Sequence, residues 1–354
     1  MRIMIYLIVV LLSLTSLALG QTVEEWMQEG NARFNAGEFQ EAIRCYDSLL
    51  KYRPDVPEIY YNRGTAKTKI NAADKAMQDF NKAIELKPKY AAAYMYRGAL
   101  KAQKFGSEAA ILDYDTALGL DPKVALAHCL RGMAKLDLQA YPSSVADFDK
   151  AIALDGDLRE AYFGRGKARF MLHKNAAAVE DFTKAIDLKP NHPKTQEAYN
   201  YRGEAYSELN KPTQAIADFK QAIALKPDYY KPYYNLGMMY THSAAEVEIA
   251  IPYLSQALEL KPEYTSAIIN RGILYAKINK WESAMQDLDL AVRLKSDDYL
   301  AYYWRGFIKL NQEKYKEAVT EFDKSIRLNP KDGPSLYNRA IAKMRLDDKA
   351  GACD

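Results

Sequence analysis

Glycine recurs along this chain at a nearly constant interval, and that interval constrains the fold more than any other feature. Gly30, Gly64, Gly98, Gly132 and Gly166 stand 34 residues apart; Gly203 follows after 37, Gly237 after 34, Gly272 after 35 and Gly306 after 34, and Ala340 fills the slot after another 34. A fixed period of this length marks a repeat architecture, in which each unit is one supersecondary element that cannot bury its apolar face alone. Ten registers are visible, and offsets below are counted from the glycine of each.

Other residues keep fixed places in the register. The second carries Tyr60 at −4, Ala76 at +12, Phe80 at +16, Ala83 at +19 and Pro88 at +24; the fifth repeats these as Tyr162, Ala178, Phe182, Ala185 and Pro190, and the sixth as Tyr199, Ala215, Phe219, Ala222 and Pro227. Offsets −4, 0 and +3 or +4 share one helix face, as do +12, +16 and +19, because residues three or four apart are helix neighbours. Two helices per register follow. Small residues let the backbones approach, aromatic rings fill the space beside them, and the Pro ends the second helix. The expected fold is an all-α solenoid of about ten antiparallel helix-hairpin repeats of 34 residues.

At these residues the chain resembles the tetratricopeptide repeat family over roughly residues 23 to 354. Departures are Ser144 and Gly156 for the Ala and Pro of the fourth register, Leu288 and Ser296 for the aromatic and Pro of the eighth, and Ala340 for the last Gly. Pentatricopeptide arrays share the rhythm and read RNA, but the spacing, the aromatic and Pro positions and the near-neutral charge argue against them. Three extra residues within 190–196 suggest a lengthened loop between two sub-arrays, 21–192 with repeats one to five and 193–354 with repeats six to ten. One further residue enters between Gly237 and Ala250. The tenth register would place its second-helix aromatic beyond Asp354, which reads as a fragment of a longer chain.

Residues 1–20 differ from the rest: Arg2, an apolar run from Ile3 to Leu12, then Ala18-Leu19-Gly20. This is a secretory signal pattern with cleavage expected before Gln21, so the mature chain is expected to be exported, periplasmic or secreted, with a retained anchor as the alternative. Such a chain is expected to come from a bacterial envelope, and no other segment is apolar enough to span a membrane. Net charge is only +3, far from the basic excess of a nucleic-acid binder. Cys45, Cys129 and Cys353 are too few and scattered for a disulfide framework.

No constellation for catalysis is recognisable. His128, His173, His192 and His242 lack partners at metal-ligand spacing, and no nucleophile motif or phosphate-cradling loop occurs. The chain is therefore expected to be no enzyme and to need no cofactor or metal. The tyrosines at −4 (Tyr60, Tyr94, Tyr162, Tyr199, Tyr233, Tyr302) are expected to pack within the hairpin. The family resemblance implies that the first helix lines a concave groove through offsets −3, +1 and +4. At −3 stand Met27, Tyr61, Met95, Phe163, Asn200, Tyr234, Ile269, Tyr303 and Tyr337; Tyr61, Met95, Phe163, Tyr234, Tyr303 and Tyr337 are the candidate partner-binding residues, with partial burial against the next repeat as the competing reading. The clamp that some family members use for chaperone C-terminal carboxylates needs cations where this chain has Met27, Ala92 and Tyr96, so that partner is not expected.

Arg63, Arg97, Arg131, Arg165, Arg202, Arg271 and Arg305 stand at −1, and the same registers carry Asp79, Asp113, Asp147, Asp181, Asp218, Asp287 and Glu321 at +15. The first register has Glu29 and Cys45 there, and the seventh Leu236 and Tyr253. Both partners vanish together, which predicts a structural ion pair inside each repeat. The expected function is an extracytoplasmic scaffold that binds a peptide or partner protein in its groove. The alternative is a repeat domain docking, or attached to, an envelope enzyme.

Overall fold

The computed structural model describes residues 24–241, 243–294 and 297–346, so the signal segment, Ser296 and Cys353 lie outside the described residues. Every described element is a helix. The chain divides into two compact units, 1–181 and 182–354; the division falls within α10. Unit 1 contains α1 (residues 24–35), α2 (Phe39–Tyr52), α3 (Pro57–Lys69), α4 (Ala73–Leu86), α5 (Ala91–Phe105), α6 (Glu108–Leu120), α7 (Ala125–Asp137), α8 (Tyr141–Leu154), α9 (Arg159–Met171) and the start of α10 (Asn175–Leu188). Unit 2 continues with α11 (Thr195–Glu208), α12 (Pro212–Leu225), α13 (Tyr230–Met238), α14 (Ala244–Leu260), α15 (Thr265–Lys277), α16 (Trp281–Arg293), α17 (Tyr299–Asn311), α18 (Tyr315–Leu328) and α19 (Gly333–Arg345). Odd-numbered helices are the first of each register and even-numbered ones the second, so the fold is the all-α solenoid of helix hairpins that the period implies.

Most of the hairpins are held by a ring on a bare backbone. A Cβ on Gly64 would come within 2.9 Å of the Phe80 ring, so the ring seats against the α3 backbone only because nothing projects there. Phe148 is gripped from two repeats at once: a Cβ on Gly132 would stand 2.9 Å from it and one on Gly164 of the next repeat 2.3 Å. Phe80, Phe148 and Phe322 are fully buried, as are Ala76, Ala83 and Ala318 beside them. Departures from the pattern are absorbed locally. Ser144 donates its hydroxyl to the Gly132 carbonyl at 2.7 Å, and Leu288 replaces a ring against Gly272.

The first helix of a hairpin ends on a left-handed residue. In the second register the Ala72 N–H returns to Lys67 O and the Asn71 N–H to Thr68 O, with Asn71 at φ 58°, the doubly bonded helix terminus that satisfies orphan carbonyls. Gln139, His173, Asn210, Asn279 and Glu313 take the same conformation. The extra residues at 190–196 form a bonded turn in which Thr195 Oγ1 donates to Lys189 O at 3.1 Å. The extra residue of the seventh register shortens α13 to 9 residues, and Ser243 then caps the 17-residue α14 through the Glu246 N–H. No helix among the described residues is long and apolar enough to cross a membrane.

The residues at −1 and +15 form bidentate pairs. Arg63 donates Nε and Nη2 to the two oxygens of Asp79 at 3.0 and 2.6 Å. Arg97 and Asp113, Arg131 and Asp147, Arg202 and Asp218, and Arg271 and Asp287 repeat this fork, and Arg165 reaches both oxygens of Asp181. Arg305 meets the longer Glu321 through Nη2 alone, at 3.1 Å. The acids are buried and the guanidiniums mostly so; in the second register the side chains are 4% and 17% exposed. Around this pair the structure adds two partners. A second cation at +3 reaches the acid, Lys67 to Asp79 at 2.8 Å and Lys135 to Asp147 at 2.7 Å. The remaining guanidinium nitrogen crosses to the preceding repeat at its +17 position: Arg63 to Asp47, Arg131 to Asp115 and Arg165 to Asp149 at 2.6 to 2.7 Å, with Asn81, Thr183 and Ser255 as neutral substitutes for Arg97, Arg202 and Arg271. The −4 tyrosines pack under the same groups, with the Arg63, Arg97, Arg165 and Arg202 guanidiniums over the rings of Tyr60, Tyr94, Tyr162 and Tyr199.

Candidate functional site

The −3 stripe is largely a seam between repeats. Met95 and Phe163 are buried, at 5% and 6% exposure, which leaves them no surface to offer a partner and corrects their assignment to the groove. Met95 packs among Ala117, Leu118 and Ala127, while the Phe163 ring lies beneath the Arg159 guanidinium. Tyr61, Tyr234 and Tyr303 are half-buried, and Tyr337 is 69% exposed. Tyr61 meets Tyr90 and Tyr96 with ring centroids 5.1 and 5.7 Å apart, and Tyr234 meets Tyr264 at 5.0 Å. These −3 side chains therefore meet residues of the following repeat, Ala127, Tyr96 and Tyr264 among them.

What opens to solvent in unit 1 is a cleft of about 560 Å³ across the first three registers, lined by Asn31, Asn35, Asn62, Thr65, Lys69 and Tyr96 among others. Offsets −2, +1, +4 and +5 build it, with Tyr61 at −3 contributing one wall. Its amides are fixed in orientation. Tyr46 Oη donates to Asn31 Oδ1 at 2.8 Å, and Asn62 Nδ2 donates to the same oxygen at 3.1 Å. Burial pushes the Tyr46 hydroxyl up to about 12, so it stays a donor at every ordinary pH. Asn31 Nδ2 and Asn62 Oδ1 then remain without a bonded partner among the described residues, one donor and one acceptor on adjacent repeats. None of the ion-pair residues lines this cleft.

Unit 2 repeats the motif with a charge in it. Asn235, at −2 of the seventh register, donates Nδ2 to Glu204 Oε1 at 2.9 Å and to Asn200 Oδ1 at 3.1 Å. Asn200 Nδ2 donates to the same Glu204 oxygen at 2.6 Å. Burial pushes the Glu204 carboxyl above its ordinary value, against the two amide hydrogen bonds that favour its charge. Further along, Asn270 and Asn338 direct Nδ2 to the hydroxyls of Tyr234 and Tyr303. An Asn at −2 thus reads the preceding repeat in four registers. The spacing carried this signal, since Asn62, Asn235, Asn270 and Asn338 share one offset.

Models described as tetratricopeptide repeat match residues 27–91, 129–193, 197–229, 230–264 and 299–332, more than half of the chain. The chain belongs to the tetratricopeptide repeat family. No curated protein matches its sequence. Among solved structures it is similar to the APC/C hetero-tetramer Cut9-Hcn1, with a TM-score of 0.58 and 15% identity over 90% of this chain and 76% of that one. It is also similar to PilW, a type IV pilus biogenesis factor, with a TM-score of 0.53 and 16% identity over 62% of this chain and 99% of that one. A tetratricopeptide repeat protein from Parabacteroides merdae covers 94% of this chain at 17% identity and a TM-score of 0.48. At such identities the likeness concerns the fold. Tetratricopeptide repeats serve as scaffolds for protein–protein interaction, and the partners of this chain are proteins accordingly.

Proposed function

We propose that this chain is an extracytoplasmic scaffold that holds an extended segment of a partner polypeptide in the cleft of its first three repeats. One observation carries the reading. Asn31 and Asn62 are locked by each other and by Tyr46, and the amide donor and acceptor they leave unused match the C=O and N–H of a peptide backbone. Hydrogen-bonding groups held in place before binding lose little entropy when a ligand arrives. Tyr61 and Tyr96 supply rigid apolar area beside them, as suits a surface that must grip without much ordering cost. The cleft contains Lys69 as its one cation among mostly neutral polar and aromatic side chains, which suits a chain interior better than a carboxylate terminus.

Export rests on residues 1–20, whose charged start, apolar run and small-residue end form a secretory pattern. Recovery of a mature chain beginning at Gln21 from outside the cytoplasm tests that part. For the cleft, a photo-crosslinker at Thr65 is expected to capture a partner, and Asn62→Ala is expected to weaken capture about tenfold, the loss of one or two oriented hydrogen bonds, with melting nearly unchanged. Capture that persists in Asn62→Ala while the fold is intact would remove the cleft from the reading.

A further inference from the structure

The Glu204 station does in unit 2 something that its counterpart in unit 1 does not. Both stations place an Asn at −2 against an acceptor at +1 of the preceding repeat, Asn62 against Asn31 and Asn235 against Glu204. In unit 1 the acceptor is neutral. In unit 2 it is a half-buried carboxylate whose hydrogen-bond partners, Asn200 and Asn235, are also neutral.

Amides orient a carboxylate without cancelling its charge. Elsewhere in this molecule a buried acid is met by a cation, as Asp79 is by Arg63 and Lys67. Glu204 has no such partner: Lys231 is close enough to act on it by charge, yet forms no ion pair with it among the described residues. Both amides bond to Oε1, which leaves Oε2 without a hydrogen bond among the described residues. Burial raises the hydroxyl pKa values of Tyr201, Tyr229 and Tyr264, and the Glu204 charge adds to the rise in each, so three half-buried tyrosines lie within its field. Tyr234 closes on Tyr264 at 5.0 Å. The arrangement is a partly desolvated anion with one free oxygen, held in place by two neutral amides.

We infer that Glu204 is the anchor of a cation-recognition site in unit 2 that takes a guanidinium or ammonium side chain of a polypeptide partner. The inference rests on the scaffold reading for the nature of the occupant. A side chain fits better than a metal ion, because no group of three His, Cys, Asp or Glu gathers among the described residues and a single carboxylate is too few ligands for a hard cation. The net charge of the chain is +3, so cations are not drawn to it by its overall field and a response to them is local.

The experiment uses the full chain with carbon-13-labelled tyrosine rings, titrated with N-acetyl-arginine methylamide and, in parallel, with the citrulline analogue, which has the same shape without the charge. Ring signals of Tyr201, Tyr229 and Tyr264, assigned through their Phe variants, are expected to shift and saturate with the arginine compound. The citrulline compound is expected to act about tenfold more weakly, the usual advantage of a charged hydrogen bond over a neutral one. Glu204→Gln, which keeps an oxygen for both amides, is expected to reduce the arginine response to the citrulline level. Glu208→Gln makes the same change of net charge on an exposed neighbour and is expected to leave the response intact. Equal shifts with both compounds, or an unchanged arginine response in Glu204→Gln, overturn the site. Either result leaves the scaffold reading standing, because that is judged by partner capture through Thr65 and Asn62 in the other unit.

Discussion

The second and seventh repeats solve one packing problem with opposite chemistry. Between the two helices of the second, Arg63, Asp79 and Lys67 form a charged cluster with the acid 4% exposed. In the seventh, Leu236, Tyr253 and Tyr240 occupy those places, Leu236 is fully buried, and the two rings stack with centroids 6.3 Å apart. The sixth and eighth are intermediate, keeping the Arg and the acid but placing Tyr206 or Tyr275 where the second cation would stand, under the Arg202 or Arg271 guanidinium. The seam therefore requires filled volume and balanced charge. It does not require charge as such, in accord with the general finding that a buried ion pair can be exchanged for apolar groups but cannot be halved.

The comparison breaks most sharply by halving the pair. Asp79→Leu strands Arg63 and Lys67 against an apolar wall and is expected to cost about 3–5 kcal/mol in denaturant unfolding. Arg63→Leu, Lys67→Tyr and Asp79→Tyr together copy the seventh repeat and are expected to return to within about 1 kcal/mol of the parent, because no unpaired buried charge remains and Asp47, which loses its partner, is half exposed. If the triple variant loses as much as the sum of its parts, the two seams are not equivalent and the pairing has a value of its own.

A smaller effect of opposite sign is expected at Glu204, the acid without a cation. Its pKa in the fold lies above the ordinary carboxylate value through burial, so the folded state binds the proton more tightly than the unfolded one. Stability then falls as pH rises from the ordinary carboxylate range through the raised value. Glu204→Gln is expected to raise the melting temperature at pH 7 and to have little effect where the acid is already protonated. Asp147 runs the other way: Arg131 and Lys135 outweigh the burial that would raise its pKa and hold it low, so its contribution is lost as pH falls through that low value. A destabilised Glu204→Gln protein at pH 7 would show that the carboxylate is compensated after all.

The smallest effect separates the two acids that share Arg63. Asp47 is 50% exposed where Asp79 is 4%, and Asp47→Ala is expected to cost about 1 kcal/mol or less, diminishing further with salt. A cost comparable to that of Asp79→Leu would mean that the outer contact is as important as the inner one.

Much of this was legible in the sequence because repetition multiplies weak signals. The joint loss of Arg and acid in the seventh register pointed to the intra-repeat pair, and the recurrence of the small and aromatic offsets in most registers made the hairpin readable. The bridge to the preceding repeat was equally available, since Asp47, Asp115, Asp149, Asp289 and Asp323 share one offset, but comparing the +15 position alone hides an arginine that holds two acids. The direction of the −3 side chains was not legible. Whether an offset faces a cleft or a neighbour depends on how far each repeat rotates against the next, a matter of close packing such as that of Gly164 on Phe148. Met95 and Phe163 are buried, while Asn62 at −2 lines the open cleft.

The arginine that reaches back to the preceding repeat has a consequence for how the array comes apart. A linear array unfolds as a chain of coupled units, with each interface setting how readily disorder in one unit spreads to the next. Arg63, Arg97, Arg131 and Arg165 each fasten their own second helix to the one before, which makes adjacent repeats gain or lose order together. Between the sixth and seventh repeats that charged fastening is missing, with Leu236 in place of the arginine and Lys220 in place of its acceptor, and the Asn235 amide and the packing of Leu236 with Phe219 are among the contacts that join the two. An unfolding front arriving from either side should stall there. Amide exchange should accordingly show α11 and α12 protected as one block and α13 and α14 as another, each opening at its own free energy.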